Sequence, residues 1–181
     1  MNRKRATQNR NLFTTIEPGI HETPAHQFVP VSASAKYIPV YHVELVRERW
    51  IKVEPRQSIH NSDDVVAILQ DELLKSDREK LVCLMLSAKN TIIGIDIVSV
   101  GTLTTSVAHP REIFKSAILK NAASIILSHC HPSGNPTPSR EDIQMTERIA
   151  KAGEILGIKL LDHIIIAEQG NYSFSNTGRL P

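Results

Sequence analysis

The chain has 181 residues, of which 41% are hydrophobic, so it is long enough to bury a core without disulfide bonds. It contains no run of about 18 uninterrupted apolar residues, which excludes a membrane-spanning helix, and its basic N-terminus lacks the apolar stretch of a signal peptide. The two cysteines, Cys83 and Cys130, do not indicate a disulfide framework and favour a reducing compartment. We therefore expect a cytoplasmic protein with no membrane partner.

The positive charge is concentrated at the N-terminus. Residues 1–36 hold five basic and two acidic side chains, a net charge of +3, whereas the rest of the chain carries −1. The body has no basic stripe of the kind that follows a phosphate backbone. We therefore predict that residues 1–36 are a flexible basic leader and that any contact with nucleic acid is made through it.

The first predicted elements follow this leader. Residues 37–58 contain two alternating runs, 38–46 and 50–53, which predict an N-terminal strand pair. Asn61 then offers an N-cap to a helix whose apolar residues recur at spacings of three and four as far as Leu74.

The rest of the predicted elements belong to one domain, residues 59–181. Short apolar or β-branched runs predict strands at 81–86, 91–100, 123–128, 160–167 and 172–174. Helices are predicted at 110–120, which opens on a proline, and at 139–156, after an irregular proline-rich loop. Strands and helices mix in a three-layer manner, which indicates an α/β or α+β fold.

The segment that carries chemistry is 128–142. His129 and His131 lie two apart at a predicted strand end, so they face the same side, with Cα atoms about 6.5 Å apart, and can converge on one ion. Cys130 faces the other way, and Asp142 in the first turn of the next helix can supply a third ligand. Two imidazoles and one carboxylate leave one position of a tetrahedral zinc open, as in catalytic sites. A water molecule held there becomes acidic enough to attack a carbonyl at neutral pH.

The same residues also have purely structural interpretations. A lone His-x-His is more often a surface or packing feature than a metal site. Ser139 and Asp142 fit a plain capping box, which would use the same carboxylate. Asp162 and His163 fit either a carboxylate–imidazole pair behind a metal ligand or, as the favoured interpretation, an ordinary hydrogen-bonded core pair.

The spacing does not select a general base. Each candidate glutamate is equally compatible with an exposed surface charge, and four of them remain open from the residues alone: Glu79, Glu112, Glu141 and Glu147.

The residues of this segment resemble those of a known protein family. His129-x-His131, followed after ten residues by Asp142, with Ser139 three residues before the aspartate, resembles the metal motif of JAMM (JAB/MPN-type) metalloproteases. Longer strings resemble the bacterial RadC branch of that family, from about residue 59 to the C-terminus: Ala108-His-Pro-Arg-Glu112, His129-Cys-His-Pro-Ser-Gly-Asn135, Thr137-Pro-Ser139 and Asp162-His-Ile-Ile165.

The resemblance implies a fold like that of cytidine deaminases, with a mixed sheet flanked by helices. It implies Zn²⁺ held by His129, His131 and Asp142, and a protein or peptide substrate. It also implies that Glu79 carries a proton from the metal-bound water to the leaving amine, and that the Ser139 hydroxyl helps to stabilise the oxyanion.

Two features depart from the family. Its members usually carry Asn between the two histidines, where this chain has Cys130, and we expect little effect because that position faces away from the metal. Longer RadC proteins also carry an N-terminal helix-hairpin-helix region, a type of DNA-binding module. Residues 1–36 are not expected to form one, which removes the main physical support for a DNA-repair role.

The sequence thus favours a zinc-dependent hydrolase of peptide or isopeptide bonds. The alternative is a DNA-repair or mobile-element accessory protein that uses the domain as a binding module. A pure scaffold is disfavoured by the complete set of metal ligands and by Glu79. A deaminase is disfavoured because its paired-cysteine zinc signature is absent.

Overall fold

The computed structural model describes residues 42–51, 57–101 and 109–181, and the predicted leader lies outside these ranges. The described residues form three helices and five strands, in the order α1 (Ser62–Leu73), β1 (Lys80–Leu86), β2 (Ile92–Val100), α2 (Pro110–Leu119), β3 (Ser124–Cys130), α3 (Arg140–Leu156), β4 (Lys159–Ala167) and β5 (Gly170–Ser173). None of these helices is long and apolar enough to cross a membrane.

The five strands form one mixed sheet with the order β2-β1-β3-β4-β5. Strand β1 is antiparallel to both β2 and β3, β3 is parallel to β4, and β4 is antiparallel to β5. The parallel pair is joined by α3, as parallel strands require a crossover connection. The predicted mixed sheet flanked by helices is confirmed.

Helices cover both faces of this sheet. Alternate residues of a strand point to opposite faces, and β1 shows this directly. One set packs in a core with α2 and α3, namely Leu81, Cys83 and Met85, and the other packs in a core with α1, namely Val82, Leu84 and Leu86. Burial on both faces explains why β1 is an unbroken apolar run in the sequence.

The helix starts lie where the sequence predicts them. Asn61 caps α1 in a capping box with Asp64, and His109 caps α2, with Pro110 in its first turn. Helix α3 begins after Ser139 and ends at Gly157, which adopts a left-handed conformation with φ of 69° that glycine accommodates without strain.

The predicted strand pair at 37–58 has no strand in residues 42–51, and Ser58 makes a single isolated bridge with Thr91. Residues 42–51 have no regular secondary structure, and the side chains of Val46 and Trp50 are 78% and 79% exposed. An alternating pattern forms a strand only when a partner strand pairs with it and its apolar face is buried, and residues 42–51 have neither. Residues 37–41 and 52–56 lie outside the described ranges.

Candidate metal centre

The end of β3 places two histidines on the face that carries α3. The strand extends to Cys130, two residues beyond the predicted end, so His129 lies inside it and is fully buried. His131 follows directly, and its backbone N–H still donates to the Ile166 carbonyl of β4 at 3.2 Å. The extended backbone therefore continues through both histidines and directs their side chains to the same face.

These histidines meet Asp142 from the first turn of α3. The two Nε2 atoms of His129 and His131 are 2.9 Å apart. His129 Nε2 lies 3.2 Å from Asp142 Oδ1, and His131 Nε2 lies 3.4 Å from Asp142 Oδ2. Among the residues that the structure describes, this is the group of three His, Cys, Asp or Glu side chains able to hold a metal ion. The structure thus brings together the three residues that the sequence selects.

The outer nitrogen of His131 shows that this group fits a cation. His131 Nδ1 lies 2.9 Å from the Asn135 carbonyl oxygen, which can only accept a hydrogen bond, so Nδ1 carries the hydrogen. Neutral His131 then directs the electron pair of Nε2 towards His129 and the carboxylate. Electron pairs this close repel one another unless a proton or a cation lies between them. Imidazole nitrogen and carboxylate oxygen are the donors that divalent transition metals and zinc take.

The capping-box and metal-ligand interpretations of Asp142 are compatible. Asp142 Oδ2 accepts hydrogen bonds from the Ser139 backbone N–H at 2.8 Å and the Ser139 hydroxyl at 2.7 Å, while the Asp142 N–H donates to Ser139 Oγ at 3.1 Å. Each carboxylate oxygen has two electron pairs, so these bonds leave Oδ1 directed at His129. The capping box therefore fixes the carboxylate in the orientation that the metal group needs.

Glu79 lies beside this group. It is partly buried and directly precedes β1. The antiparallel register of β1 and β3 pairs Leu81 with His129, and extending that register by two residues sets Glu79 opposite His131. The negative charge of Glu79 is one of the influences that raise the pKa of His131. The backbone of Glu79 is held by the Gly101 N–H, which donates to its carbonyl at 2.8 Å.

The other three glutamates lie on helix surfaces. Glu112 is partly exposed in the first turn of α2, where it pairs with Lys115 at 2.8 Å. Glu141 and Glu147 are exposed on α3. Among the four glutamates, Glu79 is the one whose charge acts on His131, a member of the group of ligands.

Cys130 faces the α1 side of the sheet, away from the histidines, as predicted. Its thiol accepts from the Lys80 N–H and donates to the Arg78 carbonyl, both at 3.4 Å. These two backbone groups flank Glu79. The side chain that we expect to have little effect therefore contacts the backbone on both sides of the candidate base.

His163 contacts the group in a way that the sequence does not predict. Its Nε2 lies 2.8 Å from His129 Nδ1, and its Nδ1 lies 2.7 Å from Thr146 Oγ1. Asp162 does not bond to this ring: its carboxylate accepts from the His163 backbone N–H at 2.7 Å and from the Ser173 hydroxyl at 2.6 Å. Complete burial, together with the neighbouring His129, holds the pKa of His163 well below its usual range.

Residues 59–179 match the family described as the RadC-like JAB domain. The chain belongs to the RadC family. A UPF0758 protein of Caldanaerobacter subterraneus is 39% identical over 176 residues, which is 97% of this chain and 75% of that protein. A UPF0758 protein of Moorella thermoacetica is 54% identical over 113 residues, 62% of this chain and 49% of that protein. One of Methanosarcina acetivorans is 45% identical over 145 residues, 80% of this chain and 63% of that protein. The chain thus spans from about half to three quarters of these relatives.

The electrostatics of the RadC-like site follow from these contacts. The hydrogen bond with Asp142 raises the pKa of His131, although partial burial opposes the shift. Burial alone would raise the pKa of Asp142, but its contacts with His129 and His131 outweigh burial and hold that pKa far below the usual range of an aspartate. Without a metal, the contact between His131 and the carboxylate therefore favours the protonated form of His131.

This proton predicts how pH affects the RadC-like domain. The raised pKa of His131 contributes stability that is complete below its unfolded value of about 6.5 and is lost as pH rises through the folded value. The lowered pKa of Asp142 contributes stability that is lost only in acid, below about pH 4. We expect the melting temperature of the chelator-treated protein to fall as the pH rises above about 6.5, and the increase caused by added Zn²⁺ to grow in the same direction. Thermal unfolding over a series of pH values measures this, and His131→Ala should remove the fall.

Proposed function

We propose that this RadC-like protein is a zinc-dependent hydrolase of peptide or isopeptide bonds. The observation that supports the proposal is the convergence of His129 Nε2, His131 Nε2 and the Asp142 carboxylate within hydrogen-bonding distances of one another. Glu79 lies beside them, directly before the adjacent strand β1. A ligand set with a carboxylate next to it is what metal-assisted hydrolysis of an amide needs.

Zn²⁺ suits these donors because it binds imidazole nitrogen and carboxylate oxygen, and because three protein ligands leave one of its four positions for water or substrate. His129, His131 and Asp142 would hold it. When bound, Zn²⁺ acts as a Lewis acid that lowers the pKa of a water molecule towards neutrality and polarises a carbonyl group.

Glu79 supplies the proton transfer in this proposal. An amide nitrogen is a poor leaving group until it is protonated, so the proton released by the attacking water has to reach it. Glu79 accepts that proton and delivers it to the nitrogen. A positioned side chain of this kind contributes roughly 10²–10⁴ in rate.

Ser139 is the proposed donor to the oxyanion. Its single hydroxyl hydrogen is directed at Asp142 Oδ2, so the hydroxyl has to rotate away from the carboxylate to donate to substrate. The Ser139 backbone N–H still holds the same oxygen at 2.8 Å, so the carboxylate stays fixed when the hydroxyl turns. One such donor is worth about 10²–10³ in turnover.

A cavity of about 480 Å³ lies against the loop that leads into Ser139, and its walls include Pro136, Pro138, Tyr172 and Arg179. This volume is within the usual range of ligand sites, about 300–1,000 Å³. In the proposal, a side chain of the substrate occupies this cavity.

The test is a cleavage assay on a peptide library with the full chain, reconstituted with Zn²⁺ and checked by elemental analysis. We expect about one Zn²⁺ per chain and cleavage that a chelator abolishes and Zn²⁺ restores. Zn²⁺ bound without cleavage of peptides or of isopeptide-linked substrates would favour the binding-module alternative. No bound metal after reconstitution would exclude the hydrolase.

The alternative, a DNA-repair or mobile-element accessory role, is supported by the general link of the RadC family to DNA repair and by the charge of residues 1–36. We predict that deleting residues 1–36 leaves the domain folded and removes most affinity for DNA, because the rest of the chain has a net charge of −1. Titration of labelled duplex DNA at two salt concentrations, with the melting temperature as the folding control, measures this. DNA binding that survives the deletion would place the interface on the domain itself.

A further inference from the structure

A series of buried polar groups leads from His129 into the domain and returns to the backbone of Asp142. His129 Nδ1 lies 2.8 Å from His163 Nε2, and His163 Nδ1 lies 2.7 Å from Thr146 Oγ1. Thr146 Oγ1 lies 2.7 Å from the carbonyl oxygen of Asp142, one helical turn earlier. The series therefore begins at one member of the metal-binding group and ends at another.

The contact between Thr146 and the Asp142 carbonyl fixes the direction of the hydrogen bond between His129 and His163. A carbonyl oxygen can only accept, and two oxygens 2.7 Å apart repel unless a hydrogen lies between them. The hydroxyl of Thr146 has the only hydrogen available to this contact, so it donates to the Asp142 carbonyl. Thr146 Oγ1 is then an acceptor towards His163, and His163 Nδ1 carries a hydrogen.

The hydrogen on His163 Nδ1 in turn determines which nitrogen of His129 carries a hydrogen. The His163 ring is fully buried and stacks on Phe174 at 5.0 Å between centroids, and its ring nitrogens contact Thr146 and His129. With one hydrogen, on Nδ1, the ring has an electron pair on Nε2. His163 Nε2 therefore accepts from His129 Nδ1, which leaves the electron pair of His129 on Nε2, facing His131 and Asp142.

We propose that His163 and Thr146 are positioning residues that keep the hydrogen of His129 on Nδ1 and so present its Nε2 electron pair to a divalent metal ion. The inference deepens the proposed function, on which it rests for the presence of a metal. A carboxylate or backbone carbonyl is the common partner of a metal-bound histidine, and it raises the basicity of the ligand. A neutral imidazole adds no negative charge, so it orients His129 while leaving the metal a stronger Lewis acid.

The first experiment determines the tautomers in the metal-free, full-length protein by long-range ¹H–¹⁵N correlation of the histidine rings. We expect the hydrogen on Nδ1 in both His129 and His163. Either of two results in the metal-free protein would overturn the inference. One is a hydrogen on Nε2 of His163. The other is a His129 ring that carries a hydrogen on Nε2 and none on Nδ1.

The second experiment measures Zn²⁺ affinity by competition with a chromophoric chelator in Thr146→Val and Thr146→Ser. Valine has the shape of threonine but no hydroxyl, so His163 Nδ1 loses its acceptor and the hydrogen can move to Nε2. Loss of such a partner typically weakens metal binding 10–100-fold, and we expect that range for Thr146→Val. Thr146→Ser keeps the hydroxyl and should bind within about threefold of the wild type.

Ser128→Ala is the matched control. The Ser128 hydroxyl is buried next to His129 and donates to a backbone carbonyl, that of Ile164, at 2.9 Å, but it lies on the opposite face of β3. This variant should lose stability without losing Zn²⁺ affinity, and melting temperatures of the metal-free variants report any folding defect separately. Unchanged affinity in Thr146→Val would overturn the inference.

The two proposals fail in different ways. Wild-type protein with both hydrogens on Nδ1 that binds no Zn²⁺ would support the hydrogen-bond order and contradict the hydrolase. Protein that binds Zn²⁺ equally well with and without the Thr146 hydroxyl would contradict the positioning role and leave the hydrolase intact.

Discussion

Replacing His131 with Ala is expected to weaken Zn²⁺ binding about a hundredfold and to remove metal-dependent cleavage while leaving the domain folded. A structural zinc site contributes roughly 10–16 kcal/mol through four ligands, so one ligand accounts for about 3 kcal/mol, or about a hundredfold in affinity. The His131 side chain is 14% exposed and follows the last residue of β3, so the space left by its removal opens to solvent. Elemental analysis and melting temperature measure the two effects.

His60→Ala is the control for this variant. His60 is exposed and precedes α1, the helix on the opposite face of the sheet from α3, so its loss should change neither metal content nor stability. His129→Ala is a less clean variant, because His129 is fully buried and its removal leaves His163 Nε2 without a partner. A His131→Ala protein that still holds one tightly bound Zn²⁺ would show that the metal lies elsewhere.

The sequence predicts the domain correctly where local pattern and tertiary packing agree. Strand β1 is apolar on both faces because helices cover both, and Asn61 and Ser139 cap helices in the positions that their spacing indicates. Residues 42–51 have the alternation of a strand, but pairing is a property of two segments, and no strand partner meets them in the described part of the chain. The local sequence pattern does not show whether a partner strand is present.

Part of the candidate site follows from spacing and part does not. His129, His131 and Asp142 lie within 14 residues on a strand, a loop and a helix start, so local geometry is enough to bring them together. Glu79 and His163 reach the site only through sheet pairing: Glu79 through the antiparallel register of β1 with β3, and His163 through the parallel register of β4 with β3. Neither register is encoded in a short motif, so the resemblance selects Glu79 and spacing does not.

Asp142 shows why a structural and a functional interpretation need not compete. The capping box uses Oδ2, and the contact with His129 uses Oδ1. A sequence pattern identifies the residue but not the individual oxygen, so the two interpretations are alternatives in the sequence and coexist in the structure.

Replacing Glu79 with Gln is expected to reduce turnover by about 10²–10⁴ while leaving the fold and the Zn²⁺ content unchanged. Glutamine keeps the shape of the side chain but does not accept a proton at neutral pH, so the leaving nitrogen is no longer protonated. The Glu79 backbone stays in place because the Gly101 N–H bonds to its carbonyl and Cys130 contacts the residues on either side. Steady-state kinetics on one cleavable peptide, with metal content checked for each variant, measure the effect.

Glu112→Gln is the comparison that separates a proton carrier from a surface charge. Glu112 lies in the first turn of α2 and is bonded to Lys115 and Arg111 at the protein surface, so losing its charge should leave turnover close to that of the wild type. Near-normal turnover in Glu79→Gln, with another glutamate proving essential, would move the base elsewhere. If neither substitution reduced turnover while Zn²⁺ remained bound, neither glutamate would carry the proton, and the hydrolase proposal would weaken in favour of the binding-module alternative. Because Glu79 directly precedes β1 and its charge acts on His131, whereas Glu112 lies on a helix surface, we expect a large loss of turnover in Glu79→Gln and a small one in Glu112→Gln.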